Sequence, residues 1–375
     1  MIKNKDKGIT LIALVITIII LLILAGISIS ALTNQGLFKN AKAAQNATEK
    51  AEKEQGQRLN EYEDEINKYL NNANEDEKIG LITDNINKEL SKTDNTKLKD
   101  EKGNRIVVPA GFKIVNGATT VDKGIVIEDV TETATKGSQF VWIPVGTITK
   151  SDGTTATITL GRYDFDSTTG KESAYSGSYI EEDTNDASTL KKWGNTIAKN
   201  ITNFKNSVAT NGGYYIGRYE ARTATARSAA GNALTQITEK GTENVYNYVT
   251  QLQAAQLSQN MYNSDKFTSD LMNSYAWDTA IVFIQNCGTN TKYSIQNSLN
   301  TSLAQMGTIE DIQCNIYDMA SNMAEWITET SENSASPCVS RGGSYDRNYN
   351  YTSFRGKNGT PSNVDFIGFR PILYL

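Results

Sequence analysis

The distribution of apolar residues separates a short N-terminal run from the rest of this chain. The run from Ile9 to Leu32 contains no charged residue and follows a segment with three lysines. A helix over this run would be about 36 Å long, which is enough to cross the hydrocarbon core of a bilayer. The pattern predicts a transmembrane helix over 9–32, and the lysines favour a cytoplasmic N-terminus with the rest of the chain outside.

Beyond the apolar run, two polar segments precede the larger part of the chain. Residues 33–70 are rich in Ala, Glu, Lys and Gln, and Leu59, Tyr62, Ile66 and Tyr69 recur at helical spacing. We expect an amphipathic helical stalk there. Residues 71–104 are mostly Asn, Asp and Lys, which predicts a polar linker with one short helix near 80–90.

From residue 105 onwards, strand-like and helix-like patterns alternate. Strands are predicted over 105–114, 124–130, 139–145 and 212–222, and helices over 193–208 and 245–261, with a mostly apolar segment over 276–285. The segment 288–375 is expected to be loop-rich with few regular elements. These patterns predict an α+β globular head over 105–375.

The start of the apolar run carries a more specific signal. The sequence Lys7-Gly8-Ile9-Thr10-Leu11-Ile12 resembles the prepilin signature of type IV pilins and pseudopilins. The resemblance implies that a basic leader, 1–8, is removed after Gly8 by a prepilin peptidase, which methylates Ile9. Other pilin-like subunits are then the expected partners. A plain membrane anchor is the alternative, whereas the run is too long for an ordinary secretory signal peptide.

One position departs from the pilin pattern. Pilins carry a glutamate at the fifth mature position, and this chain has Ala13 there. In that family the carboxylate pairs with the N-terminal amine of a neighbouring subunit, because an unpaired carboxylate is costly in an apolar environment. The alanine is consistent with a subunit at a filament tip, or with a lineage that does not use this pairing.

Composition excludes several classes of function. The net charge is −5 and no basic tract follows the leader, which argues against nucleic acid as a partner. The chain has no histidine, so it lacks the commonest general base and metal ligand. Its three cysteines, at 287, 314 and 338, fit neither a zinc pattern nor a disulfide framework. They are expected either to pack as small apolar groups or to supply one bridge, 314–338.

Five motifs in a fixed order then point to a known domain. They are YYIGRYE over 214–220, SYAWD over 274–278, NIYDMASNMAEW over 315–326, RGGSY over 341–345 and IGFRP over 367–371. This set resembles the formylglycine-generating-enzyme (sulfatase-modifying factor) domain, which implies a C-type-lectin-like fold over 105–375. Arg341 and Arg370 are expected to form buried, charge-assisted hydrogen bonds, with Asp318 and Glu325 as candidate partners.

The resemblance implies a fold but argues against the activity. The oxidase chemistry of that family depends on a pair of cysteines between the motifs matching 341–345 and 367–371, and this chain has none from Ser344 to Ile367. A thiol nucleophile has no equivalent among Asn, Tyr and Ser at neutral pH. We therefore expect a protein that is not an enzyme.

Calcium is the one cofactor that the resemblance suggests. Family members bind it near the motif matching 322–326, where Asn322 and Glu325 offer hard oxygen ligands. A hydrogen-bonded turn made by the same two side chains is the alternative.

The segment 344–366 contains the candidate binding residues. It mixes aromatic side chains with Asn, Ser, Asp, Arg and Gly, a composition typical of antibody paratopes. The expected ligand contacts are Tyr345, Arg347, Asn348, Tyr349, Asn350, Tyr351 and Phe354. The position also resembles the variable region of proteins diversified by retroelements. An ordinary polar surface loop is the alternative.

Together these features predict a pilin-like protein of the cell surface or a pilus. Its head would be extracytoplasmic and would bind an external protein or glycan through the C-terminal loops. A structural filament subunit without a ligand is the alternative, and a formylglycine-type oxidase is less favoured.

Overall fold

The computed structural model describes the chain in two compact units, Met1–Lys78 and Ile79–Leu375. The described residues are 6–34, 42, 45–48, 50, 51, 55, 80–82, 86–88, 90–115, 117–131, 133–183, 200–223, 225–229, 243–262, 264–333, 335–359 and 363–375.

The N-terminal unit contains helix α1, Asp6–Asn34, which agrees with the helix predicted over 9–32. The candidate processing residues Gly8 and Ile9 lie in its first turn. Among the residues that the structure describes, no helix reaches the length and apolar character needed to cross a membrane. The predicted transmembrane span therefore gains no support here, and most of the predicted stalk lies outside the described residues.

The C-terminal unit combines many short strands with three α-helices among its described residues. The helices are α2 Ile201–Asn211, α3 Gln251–Met261 and α4 Ser274–Cys287. The strands are β1 Gly80–Leu81, β2 Thr96–Lys99, β3 Arg105–Val108, β4 Phe112–Val115, β5 Val126–Asp129, β6 Gln139–Pro144, β7 Gly146–Thr149, β8 Thr155–Ile158, β9 Tyr163–Phe165, β10 Glu172–Ala174, β11 Gly213–Gly217, β12 Arg222–Thr223, β13 Asn244–Val245, β14 Thr268–Leu271, β15 Ile312–Gln313, β16 Ile316–Tyr317, β17 Ala324–Thr330, β18 Cys338–Arg341, β19 Arg355–Asn358, β20 Ile367–Phe369 and β21 Pro371–Tyr374. The unit is thus mixed α+β, as predicted.

The largest sheet has six antiparallel strands in the order β14–β21–β11–β6–β5–β4. Its central strand β11 is buried along its whole length, so both faces of the sheet are covered there. Trp142 on β6 packs edge-on against Tyr215 on β11, with ring centroids 5.0 Å apart. The continuous apolar runs that predicted these strands are explained by this two-sided burial.

A second sheet, in the order β19–β18–β17–β20, lies in the segment predicted to be loop-rich. That prediction was wrong for 324–369. All seven residues of β17 are buried, and four of them, Glu325, Thr328, Glu329 and Thr330, are polar. A strand whose polar residues are buried shows neither an apolar run nor a regular alternation, and its pattern therefore did not indicate a strand.

Caps define where the helices begin. The Asn200 side chain accepts a hydrogen bond from the Asn203 backbone N–H at the start of α2, and Asn273 caps α4 in the same way. Helix α3 starts with a reciprocal capping box between Thr250 and Gln253. These side chains satisfy backbone donors that the helices leave free at their first turns.

The predicted linker differs from the structure at its C-terminal end. Strands β1 and β2 lie within 71–104 and form a three-stranded sheet with β3, and a 3₁₀ turn covers Ile86–Lys88. The side chain of Asn87 exchanges hydrogen bonds with the backbone of Ile114, at 2.8 Å in each direction. These polar contacts attach residues 80–104 to the head, and apolar spacing alone does not reveal them.

Candidate functional site

Two buried arginines hold the second sheet in place, and the sequence predicted both. Arg370 lies between β20 and β21, and its guanidinium bonds both carboxylate oxygens of Glu325, with Nη2 2.7 Å from Oε1. It also donates to the carbonyls of Gly217 and Tyr317. Glu325, one of the two candidate partners, thus pairs with Arg370, and the pair links the two sheets.

Arg341 has a different partner from those expected. Its guanidinium bonds Asp278 on α4 rather than Asp318 or Glu325. Asp278 also accepts from Arg355 at 2.7 Å, and Arg355 and Arg162 both pair with Glu329 on β17. This network of three arginines and two carboxylates connects α4 with β17, β18 and β19 behind the predicted binding loops.

Asn322 connects these loops to the interior. It is buried and has a positive φ of 63°, a conformation that asparagine tolerates better than most residues. Its amide nitrogen donates to Glu220 at 2.7 Å, and its amide oxygen accepts from the backbone N–H of Ala304 at 3.0 Å. Its backbone carbonyl accepts from the N–H of Tyr345 at 2.9 Å. One residue therefore fixes both the segment near 304 and the start of the loop 344–354.

The interior around Asn322 is acidic. Burial raises the pKa of Glu220 well above its usual range, and the neighbouring carboxylates of Asp318 and Glu325 raise it further. Burial also raises the pKa of Asp318 to about 7. One oxygen of Asp318 accepts from the backbone N–H of Gly307 at 2.8 Å, whereas the other has no hydrogen-bond partner among the residues that the structure describes. This pair of carboxylates can therefore take up a proton near neutral pH.

The first four predicted ligand contacts lie on one exposed turn. Tyr345 is half-buried, and its hydroxyl donates to Asp365 at 2.8 Å. Arg347, Asn348 and Tyr349 are exposed. The Arg347 guanidinium lies over the ring of Phe366, 5.2 Å from its centroid. The structure thus presents Arg347, Asn348 and Tyr349 together on the surface.

The last three predicted contacts are less uniform. Asn350 is buried, and its backbone N–H donates to Arg347 at 3.0 Å, so it shapes the turn and offers little surface. Tyr351 is exposed and stacks edge-on with the half-buried Phe354, with centroids 5.9 Å apart. Ligand contact by these seven residues stays a prediction.

The two candidate calcium ligands are engaged with protein groups. Glu325 bonds Arg370, and the side-chain oxygen of Asn322 accepts from the backbone of Ala304. No cluster of three or more acidic or cysteine side chains suited to a metal ion occurs within the described ranges. Calcium binding by Asn322 and Glu325 stays a prediction.

The three cysteines form no disulfide, which does not support a 314–338 bridge. Burial raises the pKa of Cys287 to about 12 and raises that of Cys314 as well, with the Asp122 carboxylate adding to both. Thiols of this kind are poor nucleophiles at neutral pH.

The sequence did not point to the segment 297–304 or to Asn247. Both contact the predicted site: Asn300 and Ala304 bond Asn322, and Asn247 donates to the backbone carbonyl of Asp365 at 2.9 Å. The available signal was Leu299 and Leu303, two isolated leucines in a run of Asn, Ser and Thr.

The sequence of the head matches a known family of domains. The profile of the sulfatase-modifying factor enzyme 1-like domain matches residues 128–374, about two thirds of the chain. Curated protein sequences give no match.

Two solved structures are similar at 12% identity. Treponema denticola variable protein 1 aligns with a TM-score of 0.37 over 65% of this chain and 98% of that one. CarF aligns with a TM-score of 0.30 over 44% of this chain and 87% of that one. The extent of the profile match, together with the order of the motifs, shows that this chain belongs to the sulfatase-modifying factor enzyme 1-like domain family.

Proposed function

We propose that this protein is a pilin-like surface protein whose head binds an external ligand through its C-terminal loops and performs no catalysis. The head belongs to a family that includes enzymes. The segment in which the family resemblance places the oxidase cysteines has none in this chain. Binding therefore accounts for the residues present better than thiol chemistry does.

The proposal rests on how the backbone of the turn 345–351 is attached to the head. Tyr349 is 68% exposed, although the backbone on both sides of it is bonded to the interior of the head. The N–H of Tyr345 donates to Asn322, and that of Thr352 donates to the carbonyl of Gln296 at 3.0 Å. An exposed aromatic ring on a fixed backbone loses little conformational freedom when a ligand binds.

The chemistry of this surface suits a protein or glycan ligand. Arg347 lies over Phe366 and is 3.7 Å from the carboxylate of Asp346, so its charge is locally balanced. Tyr349 and Tyr351 supply rings with polar tips, and Asn348 supplies an amide. We also propose that a retroelement diversifies these positions, because the composition of 344–366 is typical of such variable regions.

The N-terminal part of the proposal rests on α1. The exposed fractions of Leu14, Leu21, Leu22 and Ile27 lie between 58% and 67%, and apolar side chains surround the helix along 13–27. A helix that is apolar on all sides is stable only in an apolar environment. We propose that a membrane provides this apolar environment first. After a prepilin peptidase cleaves the chain behind Gly8, neighbouring pilin-like subunits provide it. The head would then lie outside the cell, at the surface or on a pilus.

A screen of glycan and protein arrays with the purified full chain tests the proposal. The triple variant Arg347→Ala, Tyr349→Ala, Tyr351→Ala should lose the signals of the wild-type chain while keeping its melting temperature. The matched control Lys171→Ala, Leu252→Ala, Ile312→Ala removes exposed side chains outside these loops and should keep the signals. Signals that persist in the triple variant, or none from the wild-type chain on any array, would contradict ligand binding by these loops.

A further inference from the structure

A second loop, 297–304, lies directly beside the C-terminal loops. Asn297 and Tyr351 form an antiparallel β-bridge, and the hydroxyl of Ser321 accepts from the backbone N–H of Leu299 at 3.0 Å. The N–H of Ala304 is bonded to Asn322, which also holds Tyr345. The two loops therefore form one continuous surface with a fixed relative position.

Exposed apolar side chains gather on this surface. Among the described residues of the head, the large apolar side chains that are exposed include Leu299 at 53%, Leu303 at 44%, Tyr349 at 68% and Tyr351 at 38%. The remaining ones are Val130, Leu252 and Ile312, each on a different segment. An apolar group of this kind with a polar surround is typical of a surface that binds protein.

A cavity of about 140 Å³ adjoins Leu303. Its walls include Arg227, Asn244, Asn247, Ala304 and Gln305. A cavity of roughly 150 Å³ in another protein holds benzene, so this space is the size of one aromatic ring.

A buried amide in the cavity wall has an unused hydrogen-bond acceptor. Asn247 is 1% exposed, and its amide oxygen has no hydrogen-bond partner within the described part of the chain. Its amide nitrogen is engaged by the carbonyl of Asp365, whose carboxylate accepts from Tyr345. A buried acceptor without a partner costs free energy, which a ligand that donates a hydrogen bond would recover.

The cation in the cavity wall is already satisfied. The guanidinium of Arg227 donates to the backbone carbonyls of Asn247 at 2.8 Å and Tyr248 at 3.2 Å, and it lies 4.7 Å from the ring centroid of Tyr246. The site therefore does not select strongly for an anion.

We infer that the partner is a protein that inserts a tyrosine or tryptophan side chain into this cavity. The ring fills the space beside Leu303, and its O–H or N–H donates to the amide oxygen of Asn247. Leu299, Tyr349 and Tyr351 cover the partner surface around this anchor. The inference rests on the proposed ligand binding and names the partner class as protein rather than glycan, since aliphatic side chains offer sugar hydroxyls no hydrogen bond.

Saturation-transfer NMR on the full chain in detergent micelles tests the anchor, with empty micelles as the blank. The probes are N-acetyltyrosinamide, N-acetyltryptophanamide and N-acetylphenylalaninamide. The two donor-bearing probes should bind about fivefold more tightly than the phenylalanine probe, as one neutral hydrogen bond implies. Equal binding of all three, or no binding, would overturn the inference.

Two pairs of variants distinguish failure of the aromatic anchor from failure of the proposed ligand binding. Ala304→Phe fills the cavity and should remove probe binding, whereas Ala335→Phe adds the same ring on an exposed loop and should not. Leu303→Asp should also remove probe binding, whereas its control Leu252→Asp should not. Both leucines are exposed, so neither substitution should prevent folding. Array signals that need Tyr349 and Tyr351 but survive Ala304→Phe and Leu303→Asp would retain ligand binding and overturn the anchor.

Discussion

The side-chain amide of Asn322 donates a hydrogen bond to the buried carboxylate of Glu220 at 2.7 Å. The same amide accepts from Ala304, and the backbone carbonyl of Asn322 accepts from Tyr345, so the contact with Glu220 orients both surface loops from below.

Asn322→Ala should therefore loosen both loops. It removes a donor from a buried carboxylate, leaves a backbone N–H without its acceptor and places alanine at positive φ. We expect a loss of roughly 2–4 kcal/mol in the free energy of unfolding. Hydrogen exchange should rise in 297–304 and 344–354. Unchanged exchange in these loops would show that other contacts position them.

Glu325→Ala should be more damaging because it removes the carboxylate that accepts three hydrogen bonds from the buried Arg370 guanidinium. Breaking a buried ion pair by removing one partner typically costs about 3–5 kcal/mol. Urea unfolding measures the loss, and Lys113→Ala, which removes the half-exposed pair with Glu128, should cost at most about 1 kcal/mol. Equal losses for the two variants would contradict the role given to Arg370.

The head should be less stable at pH 7.5 than at pH 5.5. The pKa of Asp318 is raised from its usual value near 3.8 to about 7 in the folded chain, and that of Glu220 is also raised. Between the unfolded and folded pKa values the folded state holds more protons, so stability falls as the pH rises through this window. Asp318→Asn should flatten the pH dependence of the melting temperature. A melting temperature that rises from pH 5.5 to 7.5 would refute the assignment.

Gly124→Ala should strongly destabilise the head. Gly124 has a φ of 78°, and a Cβ atom there would lie 1.9 Å from the carbonyl oxygen of Cys314. Gly153 is the matched control, since its φ is 85° and a Cβ atom would meet nothing within 4 Å. Gly153→Ala should cost about 1–2 kcal/mol for backbone strain alone, and Gly124→Ala clearly more. Thermal melts of similar midpoint would disprove the close approach of these two segments.

Chemistry at the N-terminus separates an assembly element from a simple anchor. Mass spectrometry of the protein isolated from its native cells should find a chain that begins at methylated Ile9. A chain that retains Met1 would contradict the proposed pilin-like processing, but it would not bear on ligand binding by the head.

The sequence revealed the parts of the fold that depend on apolar runs or family motifs. Strand β6 follows from its apolar residues, whereas the segment of helix α4 was recognised only as mostly apolar. The motif around Arg370 predicted a buried guanidinium, with Glu325 as one of two candidate partners. Strand β17 did not follow, because its polar side chains are buried and paired with residues distant in the chain.

The candidate site shows the same limit. Tyr349 was recognisable by composition, whereas the contact of 297–304 with the C-terminal loops depends on Asn322 and the bridge from Asn297 to Tyr351. Neither relationship leaves a periodic signal.

The central claim is that the turn 345–351 binds a ligand. Its most direct test is the dissociation constant of the strongest array ligand for the wild-type chain, the Arg347–Tyr349–Tyr351 triple variant and the Lys171–Leu252–Ile312 control, measured by surface plasmon resonance. We predict at least about a hundredfold weakening in the triple variant, as expected when two or three central contacts are removed, and none in the control. Equal dissociation constants for the wild-type chain and the triple variant would contradict the claim.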